Sequence, residues 1–157
     1  MPGAAVDEID LKILDILQAD GRMTNVDLAA KVGLTAPPCL RRVRTLEERG
    51  YIASYHAHLD PMALGYTTTV FAMVSLKSQA EDDLKAFEAY IGELPEVREC
   101  HMLIGEVDFI LKVVAKDLRS FQQFLTSKLT PAPNVVSVKT SPTIRTSKSL
   151  PGVPIEL

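Results

Sequence analysis

Arg41, Arg42 and Arg44 stand in a stretch, residues 36–45, that contains no acid, although the chain as a whole carries a formal net charge of -3. Guanidinium groups clustered this way reach phosphates or grip guanine in bidentate fashion. That chemistry depends on local positive potential, not on the average charge of the molecule. Further along, Gly105-Glu106-Val107-Asp108 places two carboxylates beside a permissive backbone. It reads either as a tight hairpin with solvated acids or as a loop whose N–H groups receive a ligand carboxylate while Asp108 receives an ammonium group. His56 and His58 would share one face of a strand, but no third ligand is near them in the sequence, so no metal is expected. Asp108, Glu106 and His101 can be drawn as an acid–base set, yet no nucleophile motif, phosphate loop or cofactor fingerprint accompanies them. Neither catalysis nor a cofactor is expected.

The elements that must position the arginines are helical. Asp7 can cap a helix whose Ile9, Ile13, Ile16 and Leu17 form one apolar stripe ending near Asp20-Gly21. Thr24 followed by Asp27 resembles a capping box opening a short helix that buries Leu28, Ala29 and Val32, and Gly33 ends it. Thr35 is the next cap, with Pro37 and Pro38 in the first turn, where proline removes no intrahelical bond. In the helix that follows, Cys39, Val43 and Leu46 should face the core, leaving Ala36, Leu40, Arg41 and Arg44 turned wholly or partly away. Three short helices with a glycine turn before the third describe a helix-turn-helix. Its third helix enters the major groove, with Arg41 and Arg44 on guanine or phosphate, Leu40 near a thymine methyl and Arg42 on backbone phosphate. The competing readings are a three-helix bundle that binds no DNA, and arginines paired with Glu47 or Glu48 on a solvated face.

Residues 51–59 alternate as a strand would, and Asp60-Pro61 through Leu64-Gly65 reads as a hinge. Beyond it, strands at 68–77, 97–104, 107–115 and 135–144 and helices at 81–93 and 117–129 give the order βαββαβ. Both helices of such a unit cover one side of the sheet. In the first strand Val70, Ala72, Val74 and Leu76 line one face while Phe71 and Met73 line the other, so a second copy of the sheet in a symmetric dimer is the expected cover. The fold class is therefore α+β: a (winged) helix-turn-helix domain over 1–60, a linker over 61–67, a ferredoxin-like βαββαβ sensing and oligomerisation domain over 68–145, and a loosely held tail over 146–157.

With 46% hydrophobic and 24% charged residues, no basic leader and no apolar run of membrane-spanning length, the chain reads as globular and cytosolic. Cys39 and Cys100 are too few and too far apart for a disulfide framework or a zinc motif.

Several short motifs, in order, resemble the Lrp/AsnC (leucine-responsive and asparagine-responsive, feast/famine) regulators: Ile9-Asp10-Leu11-Lys12-Ile13-Leu14, Asp20-Gly21-Arg22, Asp27-Leu28-Ala29, Val32-Gly33-Leu34-Thr35, Arg41 to Glu47, Gly50-Tyr51-Ile52, Leu59-Asp60-Pro61 and Ile104 to Leu111. The resemblance spans nearly the whole chain. It implies a sequence-specific, double-stranded-DNA-binding transcriptional regulator that responds to a small molecule, an amino acid. By the same analogy DNA contacts fall on Thr35, Ala36, Leu40, Arg41, Arg42 and Arg44. The effector sits between dimers in a ring of four dimers, drawing on Met102, Leu103, Ile104, Gly105, Glu106 and Asp108, with Thr140 from a neighbouring subunit. Family members carry a small polar residue where Leu40 stands and a basic one where Thr45 stands, so the target sequence does not transfer. The alternative is a ligand-binding βαββαβ metabolic module whose N-terminal helices mediate protein contacts.

Overall fold

Asp7 opens the first helix, α1 (Glu8–Ala19), through a reciprocal box: its carboxylate accepts from the Asp10 N–H (2.9 Å) while its own N–H donates to the Asp10 carboxylate (3.2 Å). Two of the helix's orphan donors are satisfied this way. The second helix, α2 (Asn25–Val32), is capped by Thr24 and stops at Gly33. The third, α3 (Ala36–Glu48), begins behind Thr35. The faces that periodicity assigned to the interior do meet: Ile13, Leu28, Ala29, Cys39 and Leu46 form a buried cluster on which Ile9, Ile16, Leu17, Val32 and Val43 pack.

This computed structural model describes residues 5–157. The chain forms two compact units: the helical part up to His58 together with Lys148–Leu157, and Leu59–Ser147. The tail expected to be loosely held thus belongs to the helical unit. Residues 51–59, expected as a strand, carry no strand pairing. A strand is completed by a neighbour that accepts and donates along its edge, and among the described residues no strand pairs with them.

The second unit follows the anticipated order: β1 (Thr68–Leu76), α4 (Glu81–Gly92), β2 (Val97–Met102), β3 (Phe109–Ala115), α5 (Leu118–Phe124, continuing as one π-helical turn over Leu125–Leu129) and β4 (Val135–Pro142). The sheet order is β2-β3-β1-β4, with every neighbouring pair antiparallel. Val70, Ala72 and Val74 of β1 and Phe109, Leu111 and Val113 of β3 are buried against Phe87, Ile91, Phe121, Phe124 and Leu129 of the helical layer. The alternate residues Met73, Ile110, Lys112 and Val114 are half-buried and Phe71 is exposed, so one sheet face carries the core and the other keeps apolar side chains at the surface.

Candidate nucleic-acid interface and effector loop

Helix α3 divides its arginines. Arg42 is turned inward, its guanidinium 2.7 Å from Asp7 and 2.8 Å from Asp10. It ties α3 to the first turn of α1, so the guanidinium that the sequence alone assigned to backbone phosphate already holds two carboxylates. The bonds to Asp7 and then Asp10 raise Arg42 further above its ordinary value. The Asp7 carboxyl is held below its usual range, first by the Asp10 N–H and then by Arg42.

Arg41 and Arg44 are exposed, and among the described residues neither enters an ion pair. The expected alternative, pairing with Glu47 or Glu48, is not made: neither acid forms an ion pair with these arginines, and the Glu47 carboxylate accepts from the Tyr55 hydroxyl at 2.7 Å. Burial, with help from Glu47, pushes that phenol up to about 12. Leu40 is more than a third exposed on the same helix.

The start of α3 is unusual in what it lacks. A cap residue's side chain accepts from the N–H two or three positions on. Here those positions are Pro37 and Pro38, so the Thr35 hydroxyl makes no capping bond. Thr35 is exposed and its hydroxyl remains available to a phosphate oxygen. Asn25, at the first position of α2, donates from its amide to the Ala36 carbonyl at 2.8 Å, joining the N-terminal ends of α2 and α3. Sequence reasoning missed Asn25 and Tyr55; a polar side chain directly behind a cap was the signal for the first.

In the second unit the hairpin joining β2 to β3 closes where the Leu103 N–H donates to the Asp108 carbonyl (2.8 Å). Met102 and Leu103 are exposed and Ile104 projects fully into solvent. Gly105 has φ +150°, a conformation side-chain-bearing residues rarely adopt. Among the described residues the N–H groups of Ile104, Gly105, Glu106 and Val107 make no hydrogen bond, so the loop offers a run of free donors.

Asp108 is set apart from the solvated acid of a plain hairpin, being only 8% exposed. One carboxylate oxygen accepts from the Leu76 N–H at 2.7 Å and the other from the Gln79 amide at 2.8 Å. The β1–β4 register shifts between Ser75 and Leu76, so at this irregularity the Leu76 N–H is directed to Asp108. The Asp108 N–H also donates to the Val74 carbonyl at 2.9 Å. Asp108 therefore bolts the loop to the end of β1, and each oxygen keeps a lone pair for a further donor. Gln79 was not singled out from the sequence; an isolated surface glutamine carries no spacing signal. Thr140 is exposed on β4 opposite Ala72, in a different strand from the loop. Glu106 is exposed within the loop.

Residues 6–53 match the family model of a winged helix-turn-helix DNA-binding domain, and residues 69–153 match that of the Lrp/AsnC ligand binding domain. The leucine-responsive regulatory protein of Rhizobium meliloti is 54% identical over 143 residues, covering 91% of this chain and 92% of that protein. The Bkd operon transcriptional regulator of Pseudomonas aeruginosa is 48% identical over 138 residues, covering 88% and 90%. Among solved structures, a transcriptional regulator of Neisseria meningitidis in complex with L-Met superposes with a TM-score of 0.91 at 34% identity, covering 96% of this chain and 97% of that one. No helix among the described residues is long and apolar enough to cross a membrane. With a DNA-binding helix-turn-helix at one end and a ligand-binding domain at the other, this chain belongs to the Lrp/AsnC family of transcriptional regulators.

Proposed function

We propose that the protein is an amino-acid-responsive regulator that lays α3 in the major groove of duplex DNA and receives its effector at the β2–β3 loop. The outward pair Arg41 and Arg44, without an ion pair among the described residues and on a helix whose third arginine is already spent on α1, is the observation that carries the DNA half. Leu40 lies beside them, and Thr35 and the Ala36 N–H stand at the helix start where a phosphate passes. Arg42 contributes by holding α3 against α1.

The effector half rests on the free amides of residues 104–107, which suit a carboxylate, and on the remaining lone pairs of Asp108, which suit an ammonium group. Met102, Leu103 and Ile104 supply apolar surface for a side chain, with Glu106 at the rim and Thr140 from a neighbouring subunit. The related Neisseria regulator solved with L-Met makes that amino acid the first to try. The apolar residues on the helix-free sheet face, Phe71, Met73, Ile110 and Val114, support a dimer through that face, and dimers assembling into an octamer would bring loops of different subunits together. An effector held between subunits is thermodynamically linked to assembly.

Two measurements test the reading. Binding to DNA from upstream of the protein's own gene should fall steeply with salt, and a free amino acid, L-methionine among the panel, should raise the melting temperature. Salt-independent binding would overturn the groove assignment and leave the helices as protein-contact elements. A panel without any shift would remove amino acids as effectors.

A further inference from the structure

The last residues of the chain are received by a built contact. The Gln18 side chain, near the end of α1, donates from Nε2 to the Val153 carbonyl at 2.9 Å and accepts at Oε1 from the Val153 N–H at 3.0 Å. This is the two-bond exchange that a hydrogen-bonded residue pair makes between antiparallel strands, with a carboxamide standing in for one strand. Asp15 sets its sense: the Asp15 carboxylate, able only to accept when ionised, takes a third bond from Nε2 at 3.2 Å. The amide is thereby pinned with its oxygen toward the Val153 N–H.

Gly152 makes the approach possible. Its φ is +74°, and a Cβ there would stand 2.0 Å from Gln18 Oε1 and 3.0 Å from its Cδ. Pro151 and Pro154 flank the site and restrict the free segment, so less entropy is lost when it docks. Val153 exposes its side chain, so backbone bonds rather than apolar burial hold the segment.

The connectivity gives this contact its consequence. The chain leaves the helical unit after His58 and re-enters it at Lys148, only a few residues beyond the end of β4, where the Thr143 N–H still bonds to the Thr69 carbonyl at 2.8 Å. The helical unit is therefore joined to the sensor unit by two peptide connections. A module on one flexible linker samples a broad set of positions; a second attachment removes most of them.

We propose that Pro151–Pro154 is a strap, with Gln18 and Asp15 as its receptor, and that this second attachment sets which half-site spacing a pair of helical units accepts on DNA. The docking stands on the contacts alone. The spacing role rests on the reading that paired units occupy two half-sites.

The test uses the full-length chain with Gly152→Val, which leaves the α1 sequence unaltered and drives a side chain against Gln18, and Gln18→Ala, which removes both bonds. The probes are duplexes carrying one half-site, or two at stepped separations, chosen by in vitro selection with the unaltered protein. Both variants should take up deuterium in residues 148–157 about 10-fold faster. The preference for the best spacing over one half a helical turn away should drop by about 10-fold, with single half-site affinity unchanged. Unchanged uptake would overturn the docking. Faster uptake with an unaltered spacing profile would overturn the strap, as would loss of single half-site binding in Gly152→Val, which would make the segment part of the DNA-binding fold itself. If the unaltered protein bound two half-sites no better than one at every spacing, the paired reading would fail and the spacing role with it, while uptake would still report on docking.

Discussion

Arg42 donates to Asp10 across 2.8 Å and so spends its charge between two helices of the DNA-binding unit. Its neighbours in sequence, Arg41 and Arg44, face away, and one basic run therefore serves two purposes. Replacing Arg42 should act mainly on stability and replacing the others mainly on DNA.

Arg42→Ala is expected to lower the melting temperature by a few degrees. The sign with pH follows from Asp7, whose carboxyl is held low by the Asp10 N–H and by Arg42. That stabilisation is present above the unfolded carboxyl range and is lost as pH falls through the lowered folded value. The gap between wild type and Arg42→Ala should therefore narrow below about pH 4. Arg41→Ala combined with Arg44→Ala should leave the melting temperature alone and reduce the slope of log affinity against log salt by about 2. Thermal melts and a salt titration check both; a steeper loss of DNA slope from Arg42→Ala than from the pair would reverse the assignment.

Tyr55 gives the second test. Its phenol, pushed up to about 12 by burial and by Glu47, contributes stability that is complete below the unfolded tyrosine range and disappears as pH rises through its folded value. An ultraviolet titration should contain a tyrosinate step near that value which Tyr55→Phe removes. If the amplitude lost in Tyr55→Phe lay at about pH 10, the ordinary tyrosine range, the hydroxyl would not be held by Glu47.

Asp108 separates a bolt from a ligand contact. Asp108→Ala strands the Leu76 N–H in the interior and should cost about 1–3 kcal/mol. Asp108→Asn can still accept from Leu76, and Gln79 can turn its amide to present oxygen, so most of that stability should survive. The asparagine removes the charge that an ammonium group would seek. Chemical denaturation and an L-methionine thermal shift on both variants distinguish the roles: a retained fold with a lost shift is the expected result for Asp108→Asn, and an undiminished shift would confine Asp108 to positioning the loop.

Cys100 lies on β2, an edge strand, and is exposed as a residue, yet partial desolvation of its thiol and then the Glu88 charge push the group up to about 11. Alkylation by iodoacetamide at pH 8 should run at least about 10-fold slower than for a free thiol, since the thiolate is the reacting form. A rate equal to that of a small-molecule thiol would show the group to be solvated.

Local patterns in the sequence were enough for the elements. Asp7, Thr24 and Gly33 mark helix ends because each acts on backbone groups within a turn of itself, and the stripe of Ile13, Leu28, Cys39 and Leu46 follows from period alone. Val70, Ala72 and Val74 against Phe71 and Met73 left both faces of the first strand apolar, and the βαββαβ order was what put the helices on one of them. Residues 51–59 show where this reasoning stops: alternation describes one strand, but a strand exists only when a second lies beside it.

What the sequence by itself determined is thus the two-unit α+β plan and the basic helix, carried by short-range spacing, and the family, carried by the resemblance of its short motifs. Only the tertiary structure decided which arginine is spent, what the two Asp108 oxygens hold, and that the tail returns to Gln18. Those outcomes depend on partners as far as 135 positions apart in the chain, and no periodicity encodes a hydrogen bond made once between such distant residues.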